Sequence, residues 1–215
     1  MLPERELQDV LLKLPLISLT GPWTRALSYR LLQRYPPDGK PGDPPQPLWP
    51  GGPVLKGARF TPKGSFACVY LASDAITALL EVGALFLAGS EETLVSIKTP
   101  PWVVFAVEGF LENVLDLTNP DTLRRLGTSC AELTGDWRVS QARFLRGEEP
   151  CPPTQLLGRA AYEAGRIGGI LFESAKHTGR GNNLVVFWDR LLSRSARYLE
   201  VYDPDRLIVQ RVPPA

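Results

Sequence analysis

Apolar positions in the first fourteen residues fall at helical spacing: Leu7, Val10, Leu11 and Leu14. This predicts an amphipathic helix over residues 4–14, ended by Pro15. Residues 24–35 mix aromatics, leucines and arginines and read as extended. Residues 36–53 then hold eight prolines and four glycines, a composition that predicts a surface loop. Residues 68–72 read as a strand. Ser73 or Asp74 is placed to cap a helix over residues 75–87, because a short side-chain oxygen satisfies an orphan N–H there. Residues 102–117 predict one long strand or two short ones. Thr118-Asn119-Pro120 starts a helix that Gly127 stops. Residues 136–153 read as loop, and Thr154 as the cap of a helix reaching about residue 165. Residues 169–172 and 184–188 are short apolar runs around a polar, glycine-bearing loop. Residues 198–202 and 207–212 flank Asp203-Pro204-Asp205 and predict a hairpin. No internal repeat is visible. The fold class expected is α+β, with one strongly bent sheet and a few helices.

A chain of 215 residues is long enough to bury roughly 70% of its unfolded surface in one domain. The domain expected spans residues 1–215, with an N-terminal helix in 1–15, the Pro/Gly-rich loop at 36–53 and a C-terminal hairpin at 196–215. There are 24 basic and 23 acidic residues, so the excess of cations that duplex binding requires is missing. No direct nucleic-acid partner is expected. The three cysteines, Cys68, Cys130 and Cys151, are widely spaced without a CxxC pair. That argues against a disulfide framework or a zinc ribbon. A single histidine, His177, argues against a His-rich metal site. The first residues lack the basic start and apolar core of a secretory signal, and no apolar run approaches ~18 residues. The expected location is the cytoplasm, with no membrane partner.

Three places carry candidate chemistry. Glu81 is the one charged residue between Asp74 and Glu91 and falls at the edge of an apolar arc. Such a carboxylate either borders a cleft, is paired, or sits exposed on the helix edge. Arg59 lies in Gly57-Ala58-Arg59-Phe60-Thr61-Pro62-Lys63-Gly64. Flanking glycines let a phosphate approach the guanidinium fork, although the stretch alone reads more simply as a turn with a solvated arginine. Glu173, Ser174 and His177 are close in sequence, but no GxSxG elbow accompanies them, which disfavours a hydrolase triad. Neither a Walker A loop nor a GxGxxG after a strand occurs, which disfavours P-loop and Rossmann nucleotide sites.

Together these segments resemble the RES-domain family, toxins of bacterial toxin–antitoxin pairs named for an Arg, a Glu and a Ser. The stretch Gly57 to Phe66 is similar to the family's GGRFNPxG-type motif. Val69 to Asp74 and Thr77 to Val82 are similar to its YLA and ALxEV stretches. Val114-Leu115-Asp116-Leu117-Thr118, Gly168 to Ser174, and Asn183 to Phe187 follow in family order. Two departures stand out. Glu173 occupies a position where the family has proline, and residues 137–153 are longer than its pattern.

The resemblance implies an ADP-ribosyltransferase-like fold with a split sheet, and an enzyme that degrades NAD as substrate without a further cofactor or metal. It carries over Arg59, Tyr70, Glu81 and Ser174 as active-site positions. Arg25, in Gly21-Pro22-Trp23-Thr24-Arg25, and Asn183 are carried over as further NAD-binding positions. The residue types fit the roles that the resemblance implies. Glu81 would stabilise oxocarbenium-like charge on the ribose, and Tyr70 would stack on nicotinamide. Arg59 and Arg25 would clamp the pyrophosphate, and Ser174 would hydrogen-bond ribose or amide. The resemblance implies water or phosphate as acceptor, with a protein acceptor, hence mono-ADP-ribosylation, as the enzymatic alternative. A non-enzymatic antitoxin-binding domain is the other. The partners implied are NAD and an Xre-like antitoxin. The apolar C-terminal hairpin adds the expectation of a homodimer or another partner surface, because exposed strand edges invite pairing.

Overall fold

The structure is a computed structural model that describes residues 1–32, 43–89, 92–96, 101–193 and 196–214. Helix α1 (Glu4–Leu11) buries Leu7 and Leu11, and Leu14 is buried from the turn beyond it. Strands β1 (Ile17–Thr20) and β2 (Trp23–Ser28) follow. The extended reading of residues 24–35 holds only to Ser28. That residue pairs with Trp102, where the partner strand begins, so the ladder runs out and the chain turns into the short helix α2 (Tyr29–Leu32). Residues 33–42, most of the first half of the Pro/Gly-rich stretch, lie outside the described residues. Its far end is not loop but helix α3 (Gly51–Lys56). Pro53 sits near the start of α3, where a missing N–H has no helical partner to lose.

Strand β3 (Cys68–Ala72) leads to helix α4 (Ala75–Glu81), capped by Asp74, whose carboxylate accepts from the Thr77 amide. The helix stops at Glu81 instead of reaching residue 87. Gly83 adopts φ +76°, a conformation open to glycine that ends helices. Residues 85–88 become strand β4 (Leu85–Ala88), paired with β5 (Thr93–Ser96) in a small separate hairpin. Strand β6 (Trp102–Asp116) is unbroken. Helix α5 (Pro120–Arg125) is capped by Asn119, and Gly127 follows it at φ +61°. Next come α6 (Cys130–Thr134) and α7 (Trp137–Leu145), the latter where loop was expected. Helix α8 (Pro153–Glu163) has Pro153 in its first turn, so Thr154 is a helical residue and not the cap. Strands β7 (Gly169–Glu173) and β8 (Asn182–Phe187), helix α9 (Trp188–Leu192), and strands β9 (Tyr198–Tyr202) and β10 (Arg211–Val212) complete the chain.

Strand β6 is the spine. Its first half pairs antiparallel with β2, and its second half antiparallel with β1 and parallel with β7. β9 pairs antiparallel with it across 106–110. Asn113, at φ +59°, bends the strand where these partners change; asparagine tolerates that conformation better than most side chains. Following the ladder from β6 through β2, β3, β8 and β7 leads back to β6. The α+β class with a strongly bent sheet is what the sequence predicts.

Alternation along the strands separates two cores. In β8, Val185 and Phe187 face one apolar cluster, together with Ile170 and Phe172 of β7; helices α1 and α8 pack there. Leu184 and Val186 face the other, with Val69, Leu71, Val107 and Leu199. Strand period two accounts for this division. The C-terminal hairpin is shorter than expected. Among the described residues beyond β9, only Arg211 and Val212 pair back onto it, and Leu207 and Val209 are exposed, at 80% and 73%. The buried tail residues Leu199, Val201 and Val212 are covered by this chain's own sheet. These three residues therefore need no partner to cover them, while Tyr202, Leu207 and Val209 stay exposed.

Candidate functional site

The sheet is split between β2 and β3. One residue pair joins them, Thr24 with Ala72, and beyond it the strands part. A cavity of about 260 Å3 lies in this opening, lined by Ala26 and Leu27 of β2 and Tyr70 and Leu71 of β3. Helix α4 crosses it with Ala78 and Glu81. Ala26, Ala72 and Ala78 pack together at the wall, where larger side chains would fill the space. Arg25, Arg59 and Asn183 also line it. Of the six site positions taken from the sequence, five therefore border one cavity. Ser174 does not.

Glu81 Oε1 accepts from Ser174 Oγ at 2.7 Å and from Asn183 Nδ2 at 2.8 Å. Ser174 is fully buried and Asn183 nearly so. The Ser174 oxygen in turn accepts from the amides of Lys176 and His177. Its hydrogen-bonding capacity is spent on holding Glu81 and the loop, which places Ser174 behind the carboxylate and not against a ligand. Among the described residues no hydrogen bond engages Glu81 Oε2. The His177 ring lies elsewhere: Nδ1 is 2.8 Å from Thr77 Oγ1, beside the Asp74 cap. It steadies the start of α4, and no Ser–His pair forms.

Arg59 is presented by a stapled loop. Ala58 and Thr61 bridge each other's backbones, Tyr70 Oη accepts from the Phe60 amide at 3.0 Å, and buried Gln155 donates to the Ala58 carbonyl at 3.0 Å. Gly158 lets α8 press against this loop; a Cβ there would stand 1.9 Å from the Phe60 carbonyl oxygen. The glycines of the motif have local reasons too. Gly57 and Gly64 take φ +77° and +79°, the left-handed region that glycine occupies without steric cost. Arg59 Nη1 donates to the carbonyls of Leu133 and Gly135 at 2.6 and 2.8 Å, groups left over at the end of α6.

Two cations and one carboxylate thus face the cavity from these elements. Burial lowers the Arg59 pKa, and the Glu81 carboxylate partly offsets that. Burial pulls the Arg25 guanidinium down to about 10, still charged at neutral pH, with Cys68 acting the other way. Arg25 Nη2 donates to the Trp49 carbonyl at 3.1 Å, while its buried Nη1 finds no hydrogen-bond partner among the described residues. Tyr70 has its hydroxyl deeply buried, which drives its pKa well above 10. Tyr70 lines the cavity, and its hydroxyl is engaged by the Phe60 amide and Thr61 Oγ1.

Helix α7 adds residues that sequence reasoning missed. Trp137 and Arg138 line the cavity, and the Arg138 guanidinium lies 5.3 Å from the Trp137 ring centroid. Gln141 fastens the helix, donating to the Lys56 carbonyl and accepting from Gln155. None of its residues is buried, so no apolar stripe marked it as a helix. The one signal was Asp136, which caps it.

Glu173 accepts from Cys130 Sγ at 2.7 Å and from the Gly179 amide. It joins the loop after β7 to α6 in a way the proline of the family pattern could not. Burial, reinforced by this carboxylate, pushes the Cys130 thiol up to about 11, and burial pushes Cys68 up to about 12. Cys151 is raised by burial as well. Thiolates are the reactive form. Labelling with a thiol reagent at pH 8 is therefore expected to be slow at all three, with Cys68, which has no exposed surface, modified only on unfolding. Mass spectrometry after timed labelling checks this.

The fold is similar to that of a solved structure. The M. tuberculosis MbcT-MbcA toxin–antitoxin complex contains a chain that superposes with a TM-score of 0.64 at 20% identity, covering 96% of this chain and 91% of that one. No curated protein sequence matches this chain. Among the described residues no helix is long and apolar enough to cross a membrane. The RES-domain family model matches residues 8–204, a span that includes the β2–β3 split, the Arg59 loop and the Glu81 carboxylate with its two donors, and on that match the chain belongs to the RES-domain family.

Proposed function

We propose that this protein is the toxin of a toxin–antitoxin pair and acts by cleaving the nicotinamide–ribose bond of NAD, with water or phosphate as acceptor. The observation that carries the reading is Glu81, a carboxylate fixed by two buried donors at the wall of a cavity that also holds Arg25, Arg59 and Tyr70. The arginines suit a pyrophosphate, which they would hold in a fixed orientation before bond breaking. The Tyr70 ring offers a flat face for nicotinamide. As the C1′–N bond breaks, its electron pair leaves with nicotinamide, which departs neutral, and the ribose becomes oxocarbenium-like. The Glu81 charge meets that developing cation. Water or phosphate then adds to C1′, giving ADP-ribose with release of a proton, or its 1″-phosphate.

The fold shared with a chain of the MbcT-MbcA toxin–antitoxin complex supports a protein antitoxin as partner. Induced expression without such a partner is expected to arrest growth and empty the cellular NAD pool, and Glu81→Gln to do neither. Growth arrest with NAD intact would overturn the NAD reading.

Ser174 acts here as a positioning residue. Ser174→Ala is expected to lower kcat about 10-fold through a looser carboxylate, in line with one hydrogen bond of ~1–1.5 kcal/mol. KM for NAD is expected to change little. A rise in KM at constant kcat would instead mean that Ser174 touches substrate.

A further inference from the structure

The loop over 174–181 carries the serine that holds Glu81, and it is closed on itself. The Ser174 amide donates to the Gly181 carbonyl at 2.9 Å, and the Gly181 amide to the His177 carbonyl at 3.0 Å. Among the described residues, two side-chain hydrogen bonds tie this loop to helix α4. One runs from Ser174 Oγ to Glu81 in the last turn. The other joins His177 Nδ1 to Thr77 Oγ1 in the first turn, at 2.8 Å.

Neighbouring groups fix the proton order in the second tie. Thr77 Oγ1 lies 2.6 Å from Asp74 Oδ2, a separation of two oxygens that needs a proton between them. Burial raises the Asp74 pKa, but the bonds from Thr77 and Ser73 outweigh it and hold the carboxyl below its ordinary value. An ionised carboxylate only accepts, so the one hydroxyl proton of Thr77 goes to Asp74. The Thr77 oxygen is then the acceptor toward His177, and the ring carries its proton on Nδ1. The fit is close: a Cβ on Gly181 would stand 2.1 Å from Thr77 Oγ1 and 3.0 Å from His177 Nδ1.

We propose that His177, held with its proton on Nδ1, is a positioning residue for Glu81. Its ring locks the loop to the start of α4, while its backbone amide donates to Ser174 Oγ at 3.0 Å. Lys176 donates a second amide to the same oxygen. With both lone pairs of Ser174 taken, its single proton is aimed at Glu81 Oε1. One imidazole thus connects the two ends of the helix that presents the carboxylate. The consequence for rate rests on the NAD reading above; the tautomer and the lock do not.

His177 is the one histidine of the chain, so the ring nitrogens of the full-length, nitrogen-15-labelled protein give a single set of NMR signals. The neutral ring, recorded at alkaline pH, is expected to show its proton on Nδ1. His177→Asn keeps an N–H donor near the place of Nδ1, His177→Gln offers one near Nε2 instead, and His177→Ala offers none. Glutamine and alanine are expected to lower kcat for NAD about 10-fold, the effect of one hydrogen bond, at nearly constant KM. Both are expected to speed hydrogen exchange at the backbone amides of positions 176 and 177, and asparagine to restore most of the rate and the protection. Should the alanine variant unfold, glutamine against asparagine decides. A proton on Nε2, equal amide exchange in all folded variants, or asparagine no better than glutamine would overturn the lock. Full kcat in variants whose exchange has quickened would end the positioning role, and so would a raised KM at constant kcat, which would put His177 against substrate. If the unaltered protein leaves NAD intact, the NAD reading fails, and the tautomer and exchange rates alone decide the lock.

Discussion

Replacing Glu81 by glutamine is expected to slow NAD cleavage by ~10²–10³, the usual cost of one preorganised electrostatic group, in a protein that remains folded. Glutamine keeps an amide oxygen for the Ser174 hydroxyl and the Asn183 amide, which now share Glu81 Oε1. What it removes is the charge, and the charge matters only as the ribose becomes cationic. Alanine is the less informative change. It leaves two buried donors unpaired, each at about 1–3 kcal/mol. Neither variant strands a buried arginine, because Arg25 is held by the Trp49 carbonyl and Arg59 by those of Leu133 and Gly135. Binding of intact NAD is expected to change little. Full activity in a stable Glu81→Gln protein would end the catalytic assignment.

Arg25→Met is expected to move stability and binding in opposite directions. The guanidinium is buried, its pKa drawn down to about 10, and Nη1 is without a partner among the described residues. A charge in that position costs free energy in the unliganded protein. Methionine of similar length removes the cost and keeps the packing, at the loss of the bond to the Trp49 carbonyl. The melting temperature is therefore expected to stay level or rise, by about 2–4 °C per kcal/mol gained in a chain of this size. NAD binding is expected to weaken by ~10² or more, since truncating one partner of a buried charge pair costs about 2–5 kcal/mol. Calorimetric melting with and without NAD reads both effects. A destabilised Arg25→Met protein that binds NAD normally would show the arginine to be structural.

The strands around the site were legible in the sequence because they are short, continuous apolar runs. Residues 68–72, 169–172 and 184–187 are apolar on both faces, and both faces are largely buried; Trp188, read with the last run, opens helix α9 instead. Asp74 was readable as a cap and Glu81 as an isolated carboxylate at an apolar edge, and the structure puts both where that reading needs them. Other parts depended on contacts that spacing does not encode. The end of β2 is set by where its partner strand begins, at Trp102. The end of α4 is set by Gly83, a local signal that the apolar run over 84–87 masked. Helix α7 is fastened through Gln141 and a cap, so the hydrophobic pattern is silent about it, and with it about Trp137 and Arg138. The role of Ser174 shows the same limit. The family resemblance implied a group facing substrate, and only the burial of its side chain and its hydrogen bonds place it behind Glu81. The split itself follows from a single β2–β3 pair, which no propensity foretells.

Incubating the purified protein, freed of any bound antitoxin, with NAD in buffers with and without phosphate is the most direct measurement of the central claim. Products are followed by NMR or chromatography, beside Glu81→Gln. The expected result is release of free nicotinamide, with ADP-ribose or its phosphorylated form as co-product, and ~10²–10³ less in the variant. NAD left intact by a well-folded sample under both conditions would contradict the account.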